Sequence, residues 1–157
     1  MCGIVGIFAK NPAIEPHLGK YVSSMLVEMT DRGPDSAGMA VYRNPVPDGA
    51  TKLSLLAAEA DYPWTSLAAD LGEALGGTAD IKANGRHALV IAPGTAGDAG
   101  AWLAAHHPGI VVVAAGNVIE VFKEKGLPAD VVEHFDLRAV QGSHALGHTR
   151  MATESAV

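Results

Sequence analysis

A single cysteine, Cys2, stands in a chain of 157 residues. One thiol excludes a disulfide framework within the chain, and it excludes zinc sites built from four cysteines or from two cysteines with two histidines. Positive charge is also scarce: 11 Lys and Arg face 17 Asp and Glu, for a net charge of -6. Nucleic-acid backbones and anionic membranes both require a basic face, so neither is expected as a principal partner. No apolar run approaches the roughly 20 residues that cross a bilayer. The opening apolar run is short and has no basic residues ahead of it, unlike a secretory signal. Together these absences set a cytoplasmic, thiol-reducing expectation. Gly94-Thr95-Ala96-Gly97 lacks both the lysine of a phosphate loop and the spacing of a dinucleotide fold. What the chain does have is an apolar fraction of 48%, enough for the core of one domain.

That apolar content begins at once, in Met1-Cys2-Gly3-Ile4-Val5-Gly6-Ile7-Phe8, and predicts a strand over residues 2–8. Removal of Met1 would leave Cys2 with a thiol and a free α-amine on one carbon. An α-amine titrates near pH 8, so at neutral pH part of it can take the thiol proton during attack. Nucleophile and base would then come from one residue. Position alone also allows an ordinary buried strand cysteine.

Further along, Leu18, Val22, Met25, Leu26 and Met29 recur at helical spacing between about Pro16 and Thr30, with the methionines expected in the core. Asp31-Arg32-Gly33-Pro34-Asp35 breaks that helix, and residues 36–42 read as a second strand with small residues Ala37, Gly38 and Ala40. After the breakers at residues 44–49, a strand is expected at 53–57 and a helix at 66–75, closed by Gly76-Gly77. A strand at 88–92 with a hairpin partner near Ile81 across Asn84-Gly85 follows, then a helix from an Asp98 cap through His107. Residues 110–114 and 118–122 flank Gly116-Asn117 like the arms of a hairpin, and a last strand is expected at 145–151. Residues 45–130 thus read as a small α/β subdomain inserted between the opening strands and the closing segment. The chain stops directly after a motif-like stretch, which raises the expectation that its C-terminus is incomplete.

Three features bear on chemistry together: Cys2, the turn from Arg32 to Gly38, and Arg150 with Thr153. Arg150 stands among small and polar residues, and an inward guanidinium there needs a carboxylate or other anion as its partner. A bidentate arginine beside a hydroxyl suits a free carboxylate. A nearby thiol could attack an amide carbonyl of the same substrate and release ammonia, so a short amino acid with a side-chain amide fits both demands. Each feature also has a structural explanation: an ion pair for Arg150, a helix cap for Thr153, a braced loop for Arg32. His144 and His148 share a strand face but no third ligand is close in sequence, and no metal site is assigned. His106-His107 ends a predicted helix and suits its negative pole.

The segments 1–8, Arg32-Gly33-Pro34-Asp35-Ser36-Ala37-Gly38 and Gly147-His148-Thr149-Arg150-Met151-Ala152-Thr153 closely resemble the class II, N-terminal nucleophile glutamine amidotransferases. The phrases at 11–16, 29–38 and 148–155 are similar to the glutamate-synthase-like branch, which includes the amidotransferase subunit of N-methylglutamate synthase. The resemblance implies an α+β, four-layer αββα fold with antiparallel sheets and no cofactor. It makes Cys2 the nucleophile, and Arg150 and Thr153 the binders of the glutamine α-carboxylate. Arg32 would organise the Cys2 end, with Asp35, Ser36 and Gly38 in the supporting turn and strand. Glutamine is the implied substrate, and the implied partner is a synthase subunit or domain that receives ammonia, in a hetero-oligomer. Two departures are visible. The arginine motif lies much farther from the cysteine than in simpler members, consistent with an insertion. The family's oxyanion-hole Asn-Gly and its aspartate for the substrate amine follow the arginine motif, and neither can be assigned here. Asn84-Gly85 and Gly116-Asn117 precede it. A non-catalytic assembly module and a hydrolase of another amide are the alternatives.

Overall fold

A computed structural model of the chain describes residues 2–152. They form two compact units, Asn44–Glu120 and the described residues on either side of it.

The outer unit begins with β1 (Gly3–Phe8), a 3-10 turn at Pro12–His17, α1 (Leu18–Glu28) and a 3-10 turn at Thr30–Arg32, followed by β2 (Ser36–Tyr42). The chain returns to this sheet in β7 (Ile119–Lys125), continues through α4 (Pro128–His134) and a 3-10 turn at Leu137–Ala139, and ends in β8 (His144–Arg150). The strand order is β1-β8-β2-β7, with β8 inserted between the two N-terminal strands and antiparallel to both. Alternation along the strands decides which face is buried. Ala37, Met39 and Val41 of β2 and Ala145 of β8 face Leu18, Val22 and Leu26 of α1, spaced four apart, and Val131 and Val132 of α4. Asn11 starts the first turn by accepting from the Ala13 amide at 3.0 Å, which holds Pro12 at the helix entry, where its missing N–H costs nothing.

The inner unit comprises β3 (Ala50–Ala57), α2 (Trp64–Ala74), β4 (Asp80–Asn84), β5 (His87–Pro93), α3 (Ala96–His106) and β6 (Ile110–Gly116). Its strand order is β4-β5-β3-β6. Leu53, Leu55 and Ala57 of β3 and Ala88, Val90 and Ala92 of β5 pack on Leu67, Leu71 and Leu103 of the helices. Burial of each large side chain of this kind contributes about 1.5–3 kcal/mol. The β3 strand also buries a charge. The Lys52 ammonium donates to Glu120 Oε1 at 2.8 Å and to the Asn44 carbonyl at 2.9 Å, with the two side chains 1% and 2% exposed. Nothing in the local sequence announces this pair, because its members lie 68 residues apart.

The expected α+β class holds: two four-stranded antiparallel sheets, each flanked by its own helices, supply the αββα set of an N-terminal-nucleophile-hydrolase-like fold. Several local expectations need correction. Residues 110–122 do not form a hairpin, because β6 pairs with β3 while β7 joins the sheet of β1, β2 and β8. Gly116-Asn117 therefore carries the chain from one sheet to the other. The β4–β5 hairpin forms, but with Asn84 paired to His87, so its turn is Gly85-Arg86 and Gly85 takes the positive φ of 55°. Thr95 caps α3 in place of Asp98: its hydroxyl oxygen accepts from the Asp98 amide at 3.1 Å and donates to the Asp98 carboxylate at 2.7 Å. Met25 is exposed, one position off the buried stripe of α1. The helix α4, unmarked by any long apolar period, starts at Pro128 in the first helical turn and buries Val131 and Val132.

Candidate active site

The residues of interest meet at one end of the β1-β8-β2 sheet. The β1–β8 ladder ends with Gly3 opposite Thr149, so Cys2 directly precedes the last paired residue of β1 and Arg150 directly follows its partner on β8. On the other side of β8, Arg150 is paired with Ser36. Arg150 and Ser36 thus form a cross-strand pair, whose Cβ atoms lie about 5 Å apart, at the end of the sheet where Cys2 leads into β1. Side-chain alternation gives the next row on the same face, Ile4, His148 and Gly38. Burial agrees with this assignment: Gly3 and Thr149 are buried on the helix side, whereas Cys2, Ile4, His148 and Arg150 are exposed. The thiol is therefore accessible to a ligand, and the Arg150 guanidinium lies on an open face of the sheet.

Two glycines bring the Arg32 motif against these strands. A Cβ at Gly3 would stand 2.9 Å from Thr149 Oγ1 and 3.3 Å from the Arg32 Cβ, so Arg32 lies beside the first residue after Cys2. The Thr149 hydroxyl donates to the Met29 carbonyl at 3.4 Å, tying the end of α1 to the buried side of β8. A Cβ at Gly33 would meet the Arg150 backbone nitrogen at 2.5 Å and its carbonyl carbon at 2.6 Å. Gly33 is thus the point where the turn touches the backbone of the arginine itself. Pro34 bridges to Arg150 in the parallel sense, the Asp35 amide donates to the Arg150 carbonyl at 3.1 Å, and the Asp35 carboxylate accepts from the Ala152 amide at 2.6 Å.

Of the residues singled out by sequence, Cys2, Arg32, Asp35, Ser36 and Arg150 share this end of the sheet. Gly38 lies one row behind, where its missing side chain admits β7: a Cβ there would stand 2.7 Å from the Phe122 carbonyl oxygen. Thr153 lies outside the described residues. Behind the Arg150–Ser36 pair, a hollow of about 200 Å³ lies over β2, lined by Ser36, Gly38 and Ala40, with His148 and Leu146 from β8 and Lys123 from β7. Its histidine follows from parity, because His148 is two residues before Arg150 on one strand and must share its face. His144 shares that face too, but it is stacked on Tyr42 at 4.0 Å and bonded to the Ser143 hydroxyl at 3.0 Å, three rows from Arg150. Among the described residues, no group of three or more His, Cys, Asp or Glu is placed to hold a metal ion.

An exposed thiol and a guanidinium at the same end of a sheet can between them hold a carboxylate at one end of a small molecule and attack an electrophilic carbon at the other. No family model matches the chain. Among curated proteins it is similar to the glutamine amidotransferase-like protein GlxB of Rhizobium meliloti, at 48% identity across 100% of this chain and 52% of that protein. A provisionally named glutamine amidotransferase of Methanothermobacter thermautotrophicus is 26% identical across 100% of this chain and 54% of its own length. The chain spans about half the length of the curated relatives it matches. It shares family-level homology with glutamine-amidotransferase-like proteins.

Proposed function

We propose that the chain carries the glutaminase site of a glutamine amidotransferase. Cys2, exposed as the N-terminal residue by loss of Met1, attacks the carboxamide carbon of glutamine. Its α-amine takes the thiol proton and passes it to the departing nitrogen, so that ammonia leaves and a γ-glutamyl thioester remains. Water then cleaves the thioester, giving glutamate and restoring the thiol. Arg150 and Thr153 hold the substrate α-carboxylate, while Arg32, Asp35, Ser36 and Gly38 organise the strands beneath. The ammonia passes to a synthase subunit or domain in a hetero-oligomer, and the phrases shared with the glutamate-synthase-like branch favour glutamate or N-methylglutamate synthesis as the destination.

The observation that supports this most is the meeting of three separate sequence motifs at one sheet end, where Gly3, next to Cys2, pairs with Thr149 and Arg150 pairs with Ser36. It is tested by measuring ammonia and glutamate release from glutamine by the full polypeptide with its partners. Cys2→Ser should remove the activity. Arg150→Ala should raise KM for glutamine by about 100-fold, as expected for loss of a bidentate carboxylate contact. Hydrolysis that survives Cys2→Ser would exclude this chemistry, and an Arg150 variant that hydrolyses other amides as well as before would favour a hydrolase of another amide.

A further inference from the structure

The β8 ladder ends at Arg150, so the residues just beyond it need another hold if the arginine is to be presented in one orientation. Beyond the strand, the acceptor that the Ala152 amide finds is the Asp35 carboxylate, at 2.6 Å. A backbone N–H donating to an ionisable carboxyl group makes one of the stronger hydrogen bonds available to a loop. The same residue also reaches the near side of Met151, where its own amide donates to the Arg150 carbonyl at 3.1 Å. Asp35 therefore holds the backbone on both sides of Met151.

Asp35 is itself held. Its carbonyl accepts from the Gly126 amide at 2.9 Å. Pro34 before it has a restricted φ and bridges to Arg150, and Gly33 abuts the Arg150 backbone. The residue after it, Ser36, is locked opposite Arg150 in the ladder. A carboxylate on so constrained a backbone needs to order only its own side-chain torsions to make the bond, which makes it an effective brace.

We infer that Asp35 is a positioning residue whose carboxylate, by holding the Ala152 amide, fixes the course of the chain from Arg150 to Ala152 and so sets the affinity of Arg150 for the substrate carboxylate. The functional half of this inference rests on the proposed role of Arg150. The structural half does not. Asp35 touches no reacting atom in the proposed mechanism, so its removal should appear in binding more than in chemistry.

The test uses the full polypeptide with its partners, with Asp35→Ala, Asp35→Asn and Asp35→Glu. Amide hydrogen exchange at Ala152 should quicken at least about tenfold in Asp35→Ala and stay near wild type in Asp35→Asn, which keeps an acceptor oxygen at the same reach. In glutamine hydrolysis, Asp35→Ala should raise KM about tenfold and change kcat less than about threefold, with Asp35→Asn restoring most of the loss. If Asp35→Ala does not fold, Asp35→Glu replaces it: the added methylene displaces the carboxylate, and exchange at Ala152 should quicken with the thermal midpoint nearly unchanged. Unchanged exchange at Ala152 in the folded variant overturns the brace. Unchanged KM despite faster exchange overturns its functional half. A wild-type polypeptide without glutaminase activity would defeat the proposed function, and the exchange result would still judge the brace.

Discussion

The Arg150 backbone is held by β2, opposite Ser36, and by the Pro34 bridge, so its side chain can be changed without releasing it. Arg150→Lys keeps the charge and loses the planar fork, and should raise KM for glutamine about tenfold with kcat nearly constant. Steady-state kinetics checks this, and an equal fall in kcat would place the arginine in the chemical step instead. At Gly33 the neighbours are backbone atoms of Arg150 and Thr149, which cannot rotate away. Gly33→Ala should therefore cost about 1–3 kcal/mol in urea unfolding, and a loss below about 0.5 kcal/mol would show that the turn yields. Tyr62 offers a separate check. Burial, with a further contribution from Glu59, raises its phenol above the ordinary value of 10.0, and its oxygen lies 2.6 Å from His107 Nδ1. The folded state then keeps the proton after the unfolded chain has lost it, so this contribution to stability is whole below the ordinary phenol pKa and falls as pH rises through it toward the folded value. A pH series of urea midpoints, compared with Tyr62→Phe, should show the wild type losing more stability across that window. The cysteine, the turn from Arg32 and Arg150 were legible because local motifs carry them. The open orientation of Arg150 was not, since which side of a strand is buried depends on where α1 packs.

The same distinction operates at the level of elements. Strands and helices whose period lies within one segment, such as α1, β2 and α2, follow from spacing. Elements defined by a distant partner do not. Residues 110–114 and 118–122 look like a hairpin because each is apolar and a Gly-Asn pair divides them, but β6 is taken by β3 and β7 by the β2 sheet. The Lys52–Glu120 pair is equally non-local, its members lying 68 residues apart within the unit Asn44–Glu120. Because both groups are buried, removing one leaves the other charged and without water. Lys52→Met should lower stability by about 3–5 kcal/mol, whereas Lys52→Met with Glu120→Leu should recover most of it. Urea unfolding of the two single variants and the double variant measures the coupling. Additive losses would mean that each residue acts through other contacts.

For the whole molecule, two antiparallel sheets with their helices support an N-terminal-nucleophile-hydrolase-like fold, while the curated relatives are about twice as long as this chain. No helix among the described residues is long and apolar enough to cross a membrane. The proposed chemistry depends on one atom, the Cys2 sulfur, acting from a free N-terminus. It is tested most directly by intact-mass and peptide mass spectrometry of the mature full-length polypeptide after exposure to a glutamine-like electrophile. The expected result is a chain without Met1, labelled once at Cys2, with labelling suppressed by glutamine and weakened in the Arg150→Ala variant. A mature chain that retains Met1, or one whose Cys2 is labelled equally with and without glutamine, would contradict it.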